Sequence, residues 1–419
     1  MERAAAEELD ATDPLRELVG RFVVEDPSLC YLDGNSLGRL PWTTRERLRA
    51  VVDREWGSGL VRSWPDWIDQ PLEVGDRLGH ALIGAGPGQT LIADSVTVNL
   101  FKLASAVLTA EAAAGDGRRM LVTTDDEFPT DRYVLDGVAA DHGSDVHIVA
   151  ADPVDGLDPD RLAAALGPDT AVVVLSHVAY RSGAMIDLAT ITELVHRAGA
   201  WMIWDLSHSV GSVPVSLDAA GADLAVGCTY KYLHAGPGAP AFLYVAERHH
   251  ATLHSPIQGW FAQQDQFAMA PQFTPVEHVG RFAAGTPSVL GLAAIDEGVK
   301  LHEEAGIDRV RAKGTALTSL LIELADAWLA PLGFELASPR DPGCRGAHVS
   351  LRHDDAREVV RALIQEADVV GDFRAPDRLR LGPAPLSTRF VEVWDAMDRL
   401  RALVSSGYRP TRPQPGPVA

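Results

Sequence analysis

The chain has 419 residues and a formal net charge of -21 at pH 7, and an acid excess of that size argues against a nucleic-acid or anionic-membrane surface, both of which need clustered Lys and Arg. With 46% hydrophobic and 23% charged residues it can bury a sizeable core and is long enough for more than one domain. Cys30, Cys228 and Cys344 show no CxxC spacing, which argues against a disulfide framework or zinc site; the acidic N-terminus lacks the apolar core of a signal peptide, and no run approaches the roughly 18 apolar residues of a membrane helix, so a cytoplasmic protein is expected.

Residues 1–80, which include YLDGNSLGRLP, are expected to pack on a smaller domain or on a partner subunit. From 81 to 300 short apolar, β-branched runs alternate with helical patterns. Strands are predicted at 90–94, 119–124, 145–151, 170–176, 200–205, 222–228 and 241–246, and helices at 96–114, 158–166 and 187–199. Several of the strands are apolar throughout, which predicts a mostly parallel central sheet with helices on both faces, an α/β fold. From 301 to 408 the character changes to a smaller α+β domain. A long helical pattern over 292–330 leads into it, followed by a strand at 346–351, a helix at 354–367, a strand at 379–383 and a helix at 391–404. The Pro-rich tail 409–419 is expected to be disordered.

The stretch GCTYKYLHAGPG places Lys231 among small residues, just past a strand and 26 residues after Asp205. Ligands of open α/β sheets sit beyond the carboxyl ends of the strands. Asp205 ends one strand and His208 follows it closely; Ser95 and Thr97 open a helix, where free N–H groups favour a phosphate. Each feature alone has an ordinary reading: a turn aspartate, a solvated lysine, a helix cap. Together, a lysine amine, a carboxylate for a ring nitrogen and a phosphate site match the needs of pyridoxal phosphate. Phe128 is a candidate to stack on its ring. A covalently engaged lysine also accounts for an amine placed where a bare ammonium would be costly.

The motifs YLDGNSLGRLP (31–41), EWGSGLVRSW (55–64), DSVTVNLFK (94–102), DEFPTDRY (126–133), IWDLSHSVGSVPV (203–215), GCTYKYL (227–233), QGWF (258–261), FAAGTPSV (282–289) and RLRLGPAPL (378–386) resemble kynureninase, particularly its bacterial form, over roughly 30 to 405. The resemblance implies a fold-type I pyridoxal-phosphate enzyme of the aminotransferase class V-like group. It implies that Lys231 is the Schiff-base lysine, Asp205 the partner of the pyridine nitrogen and His208 its neighbour. Val96 and Thr97 would contact the phosphate, Phe128 would stack on the ring, and Asp131 and Ser176 would lie close to the cofactor. Tyr230 would sit at the phosphate and donate a proton, and Trp260 and Thr286 would be lent across a homodimer interface to cofactor and substrate. Arg380 would hold the substrate α-carboxylate, with Ser36 and Arg62 lining the substrate pocket. The implied reaction is hydrolysis of the Cβ–Cγ bond of L-kynurenine or 3-hydroxykynurenine to anthranilate or 3-hydroxyanthranilate and L-alanine, without a metal, as in tryptophan catabolism and NAD biosynthesis.

The chain departs from the family pattern at His234, Ala262, Gln263, Pro287, Ser288 and Ser387. These positions are expected either to be neutral or to reshape the pocket that reads the aryl ring, as for a ring-substituted kynurenine of secondary metabolism. Two other readings stand beside this one. A cysteine-desulfurase-like lyase would need a mobile-loop cysteine, for which neither Cys228 nor Cys344 is obviously suited. A non-catalytic cofactor-binding regulator would be expected to carry a basic DNA-binding segment, which the acidic charge argues against.

Overall fold

The computed structural model describes residues 2–407. After a two-residue strand, β1 (Cys30–Tyr31), the middle of the chain builds a seven-stranded sheet. Its strands are β2 (Thr90–Ile92), β3 (Met120–Thr124), β4 (Asp145–Val149), β5 (Thr170–Ser176), β6 (Trp201–Asp205), β7 (Leu224–Gly227) and β8 (Phe242–Val245). They lie in the order β2-β8-β7-β6-β5-β3-β4. The strands from β4 to β7 run parallel, and β8 is antiparallel to both β7 and β2.

The apolar strands are apolar on both sides because both faces are covered. Val173, Leu175, Met202, Trp204 and Phe242 join one core, while Val172, Val174, Ile203, Leu224 and Leu243 join the other, the period-two alternation of a pleated strand. The helix Val96–Ala114 spans the residues expected for it, and Ser95 caps it by accepting from the Val98 N–H at 3.3 Å.

The C-terminal part forms a four-stranded antiparallel sheet in the order β12-β13-β10-β9, from β9 (Glu335–Leu336), β10 (Val349–Arg352), β12 (Asp372–Arg374) and β13 (Arg378–Leu381). The short β11 (Val369–Val370) pairs in parallel with β1. Leu351, Leu379 and Leu381 pack with Leu321, Leu363 and Met397 in a third core, joined by Ala6, Cys30 and Leu32 from the N-terminal segment. The segment is tied down by polar contacts as well. Asp10 accepts from the Phe390 and Val391 N–H groups at 2.7 and 3.1 Å, and Asp13 pairs with buried Lys313 at 2.7 Å.

Two expectations need correction. The pattern over 292–330 is not one helix: it divides at Gly306, whose φ of +77° interrupts the ladder between Val289–Ala305 and Ile307–Leu324. Second, the helical runs Val96–Ala114 and Ile307–Leu332 do have the length and mean hydropathy of a membrane span. They are apolar on several sides because Leu100, Leu103 and Val107 of the first and Leu317, Leu321 and Leu324 of the second are buried in the protein's own cores. The tail 409–419 lies outside the described residues.

Candidate active site

Ser176, Asp205 and Val226 stand level across β5, β6 and β7, so their carboxyl ends share one rim. A cavity of about 310 Å³ opens there, closed on one side by the N-terminus of Val96–Ala114 and on another by β12 and β13. Lys231, four residues past β7, projects into it with Nζ 3.2 Å from His208 Nε2. The Lys231 loop is pinned from outside, where the Gly38 N–H donates to the Tyr230 carbonyl at 2.8 Å. A Cβ at Gly38 would collide with the Lys231 carbonyl and with His234, so the approach requires glycine.

The cavity floor carries two carboxyls. Asp205 is buried and accepts from the Ser207 N–H at 2.6 Å. Asp131 is 1% exposed, and among the described residues neither of its carboxyl oxygens has a hydrogen-bond donor. Burial, then the Asp205 and Glu127 carboxylates, hold the Asp131 carboxyl well above the usual range. The two carboxyls thus lie together on the floor, Asp131 the one more resistant to ionisation. Glu127, pushed up to about 7 chiefly by burial, accepts from the Ser176 N–H at 3.0 Å and fixes the end of β5. Burial, Lys231 and Arg380 drive His208 well below its ordinary range, so it faces the lysine as a neutral imidazole. Phe128 lines the wall, edge-on to Tyr180 at 5.4 Å. Tyr230 shares the cavity with Cys228, whose proximity, together with burial, raises the phenol above its ordinary value.

On the opposite wall Arg380 is 1% exposed and already bonded. Its Nε donates to Asp372 at 2.9 Å, its Nη1 to the Tyr180 carbonyl at 2.6 Å and its Nη2 to Ser36 Oγ at 3.1 Å. Ser36 in turn donates to Asp372 at 3.0 Å. Asn35, with its amide oxygen turned toward Arg380, adds an acceptor 2.8 Å from Nε.

The structure thus gathers Ser36, Val96, Thr97, Phe128, Asp131, Ser176, Asp205, His208, Tyr230, Lys231 and Arg380 around one cavity. Three expected residues do not reach the cavity of their own chain. Arg62 is exposed and donates to the Ser58 and Gly59 carbonyls of its own turn, which directs it to the surface. Trp260 is 37% exposed and packs with Trp64, Phe261 and Phe267. Thr286 lines a separate cavity of about 230 Å³ with Asp94 and Pro240.

The family departures, expected either to be neutral or to reshape the pocket, bear on that choice only by their place: within the chain none of the six lines the Lys231 cavity. His234 is buried, its Nδ1 3.1 Å from the Arg39 carbonyl and its pKa pushed by burial down to about 3. Gln263 accepts from the Thr274 N–H at 2.7 Å, Pro287 and Ser288 line the Thr286 cavity, and Ala262 and Ser387 are buried away from the cavity. Residues not anticipated include Asn35, Thr130, Ser207 and Arg374 in the wall, and Asp372 and His348 behind it. The alternation of Asp372 with Arg374 about the apolar Phe373 was the available signal.

The family model for the kynureninase C-terminal domain matches residues 310–400. A kynureninase of Burkholderia pseudomallei (strain K96243) is 41% identical over 406 residues, 96% of each chain. A kynureninase of Pseudomonas fluorescens is 41% identical over 396 residues, 94% of this chain and 93% of that one. The fold is shared with the apo cysteine desulfurase of Thermococcus onnurineus NA1, at a TM-score of 0.78 and 18% identity over 96% of this chain and 98% of that one. It is also shared with a C-DES mutant that holds glycine covalently linked to its PLP cofactor, at a TM-score of 0.78 and 19% identity over 90% of this chain and 97% of that one. Likeness to the solved structures at that identity speaks to architecture alone, whereas identity sustained from end to end of both sequences speaks to descent, and on that ground the chain belongs to the kynureninase family.

Proposed function

We propose that this chain is a pyridoxal-phosphate-dependent hydrolase that cleaves the Cβ–Cγ bond of L-kynurenine or 3-hydroxykynurenine, releasing anthranilate or 3-hydroxyanthranilate and L-alanine. The observation that carries this reading is that one cavity holds an amine, Lys231, between a carboxyl pair and a buried arginine. The residues present fit the cofactor. Asp205, at the carboxyl end of β6 and lining the cavity, is a carboxyl placed for a ring N–H, and the start of Val96–Ala114 offers N–H groups to a phosphate. When bound, pyridoxal phosphate supplies an aldehyde that condenses with an amine and a ring that withdraws electrons from it.

The side chains divide the remaining work. Asp205 keeps the ring nitrogen protonated and Phe128 is placed to cover the ring. Lys231, as a free amine, would take the Cα proton; its neighbour His208, being neutral, is placed to accept a hydrogen bond from that amine without adding a charge. Arg380 orients the α-carboxylate. Water adds to the γ-carbonyl, its oxygen ends on the aromatic acid, and Tyr230 supplies the proton that completes L-alanine at Cβ.

A homodimer with shared sites belongs to the same reading. Trp56, Leu60 and Val61 expose 58%, 57% and 72% of their surface, close in sequence to Arg62, and Trp260, Phe267 and Met269 are exposed as well. A second copy seated on these surfaces would deliver Arg62, Trp260 and Thr286 to the cavity. The three cysteines are free thiols, which suits a reducing cytoplasm and a place in tryptophan catabolism or NAD biosynthesis. The desulfurase reading loses support: Cys344 lines a different cavity from Lys231, and Cys228, although it lines the Lys231 cavity, is a buried thiol that burial holds above its ordinary range and so disfavours as a thiolate.

The test is direct. Protein loaded with pyridoxal phosphate should convert L-kynurenine to fluorescent anthranilate and L-alanine in equal amounts. Borohydride reduction followed by peptide mapping should place the label on Lys231, and Lys231→Ala should abolish both. Failure of the wild-type protein to release anthranilate, or a label on another lysine, would overturn the assignment.

A further inference from the structure

The register of β12 against β13 sets Asp372 opposite Arg380, and the period of two puts Arg374 on the same face of β12 as Asp372. Asp372 is fully buried and receives both guanidinium groups: Arg380 through Nε at 2.9 Å and through Nη2, and Arg374 through Nη2 at 2.7 Å. Both arginines line the cavity that holds Lys231. Arg374 spends one further donor on the neighbouring Phe373 carbonyl at 3.1 Å, and its Nε is buried without a partner among the described residues. A side chain kept only to brace the sheet would have that donor filled.

The charges decide what such a cluster can do. Arg380 and Asp372 alone make a neutral pair, which offers an incoming carboxylate little in a water-poor site. The other carboxyl facing them is Asp33, buried with one oxygen unpartnered and pushed up to about 7 by burial and by Asp372; His208 and His348, which also face the arginines, are driven well below their ordinary range by burial and the neighbouring cations and add no charge. Below that pH, with Asp33 protonated, two arginines against one carboxylate leave one positive charge.

We propose that Arg374 is a positioning residue for substrate specificity: it neutralises Asp372, so that Arg380 is held in place by that carboxylate yet keeps its charge available for the α-carboxylate of the amino acid. The inference rests on the proposed function, because it assumes an α-amino acid as substrate.

The experiment uses holoenzyme and the variants Arg374→Gln, Arg374→Lys, Asp372→Asn and the double variant Arg374→Gln/Asp372→Asn. L-Alanine binding is followed through the absorbance of the bound cofactor, KM and kcat are measured with L-kynurenine, and inhibition is measured with the amine of the same aryl ketone that lacks the carboxyl. Arg374→Gln should weaken L-alanine and raise KM by roughly tenfold or more, from the loss of a close charge in a poorly screened site. It should leave inhibition by the decarboxylated amine within about twofold. The double variant, with Asp372 no longer charged, should recover most of the lost affinity. A double variant no better than Arg374→Gln, or equal weakening of the decarboxylated amine, would overturn the proposal and leave Arg374 a structural brace. Should Arg374→Gln not fold, Arg374→Lys decides the matter: with the charge kept it should bind L-alanine within about fivefold of wild type, and a larger loss would refute the proposal. A wild-type protein that bound L-alanine but left kynurenine intact would refute the proposed hydrolysis without touching this test.

Discussion

Replacing Asp33 by Asn should flatten the fall of stability with pH. Asp33 lies 4% exposed beside Asp372, and burial, reinforced by that neighbour, pushes its carboxyl up to about 7. An ordinary aspartate ionises near 3.9, and each pH unit between that value and the folded one is worth 1.36 kcal/mol, which gives roughly 4 kcal/mol as an upper figure. Sharing of charge with Asp372 and the two arginines brings the expectation to about 2–4 kcal/mol. The sign follows from proton uptake. A carboxyl whose folded pKa is raised binds its proton more tightly when folded, so its stabilising contribution is complete below about 4 and is lost as the pH rises through 7. Urea unfolding at pH 5 and pH 8, at fixed protein and cofactor concentration, should therefore show wild type losing about 1–2.5 kcal/mol more than Asp33→Asn between the two conditions, since only the interval from pH 5 to about 7 is sampled. L-Alanine binding at pH 8 should also be tighter in the variant, since ionised Asp33 cancels the positive charge at Arg380. Two unfolding series that stay parallel to within about 0.5 kcal/mol would refute the reasoning.

Three further perturbations address how the chain is held together. Lys313→Met leaves Asp13 as an unpaired buried carboxylate and should cost about 3–5 kcal/mol in urea unfolding, most of it recovered when Asp13→Leu is added. Asp223 should make the fold acid-sensitive: burial opposes its charge, but hydrogen bonds from His249 and His196 at 2.8 and 2.7 Å outweigh burial and hold the carboxyl below the ordinary range. Its contribution is present above pH about 4 and lost as the pH falls, so the stability advantage of wild type over Asp223→Asn in thermal melts should shrink from pH 7 toward pH 3. Asp10→Ala removes the side chain that caps Phe390–Ser405 and should cost about 1–2 kcal/mol by the same urea assay.

The sheet was legible because its strands are buried on both faces. TAVVVLS has no polar residue between Thr170 and Ser176, so the strand and its terminal Ser176 could be read together, and β5 occupies that span. Elsewhere the apolar pattern outlasts the hydrogen bonding: DVHIVAA reads as seven residues of strand, yet β4 ends at Val149 because the chain turns there. The run over 292–330 shows the opposite failure. Its helical periodicity persists across Gly306, and only the backbone angle at that glycine reveals that two helices meet there.

The candidate site was legible wherever partners are close in sequence or share the carboxyl rim of the sheet. Asp205 and His208 are one turn apart, and Lys231 follows the adjacent strand, so a sequence that alternates strands with helices brings all three to one edge without further information. What escaped needs register. The sequence shows DFR and RLRL as short stretches of alternating charge, with nothing to say that Asp372 stands opposite Arg380 and that Arg374 shares its acceptor; a slip of one residue would have placed Leu379 or Leu381 there instead. The Asp131–Asp205 pair escaped for a related reason, because it depends on where the helix after β3 comes to rest against β6. Arg62, Trp260 and Thr286 illustrate a further limit on reading one chain. Their motifs are among the most distinctive in the sequence, yet the fold turns all three away from their own cavity, so if they act on a substrate they act on one held by another copy. Mixing two inactive variants, Lys231→Ala and Trp260→Ala, after dissociation and reassociation should then restore up to about a quarter of wild-type turnover from dimers carrying one intact site. Restoration of none would place Trp260 in service of its own chain and remove the case for shared sites.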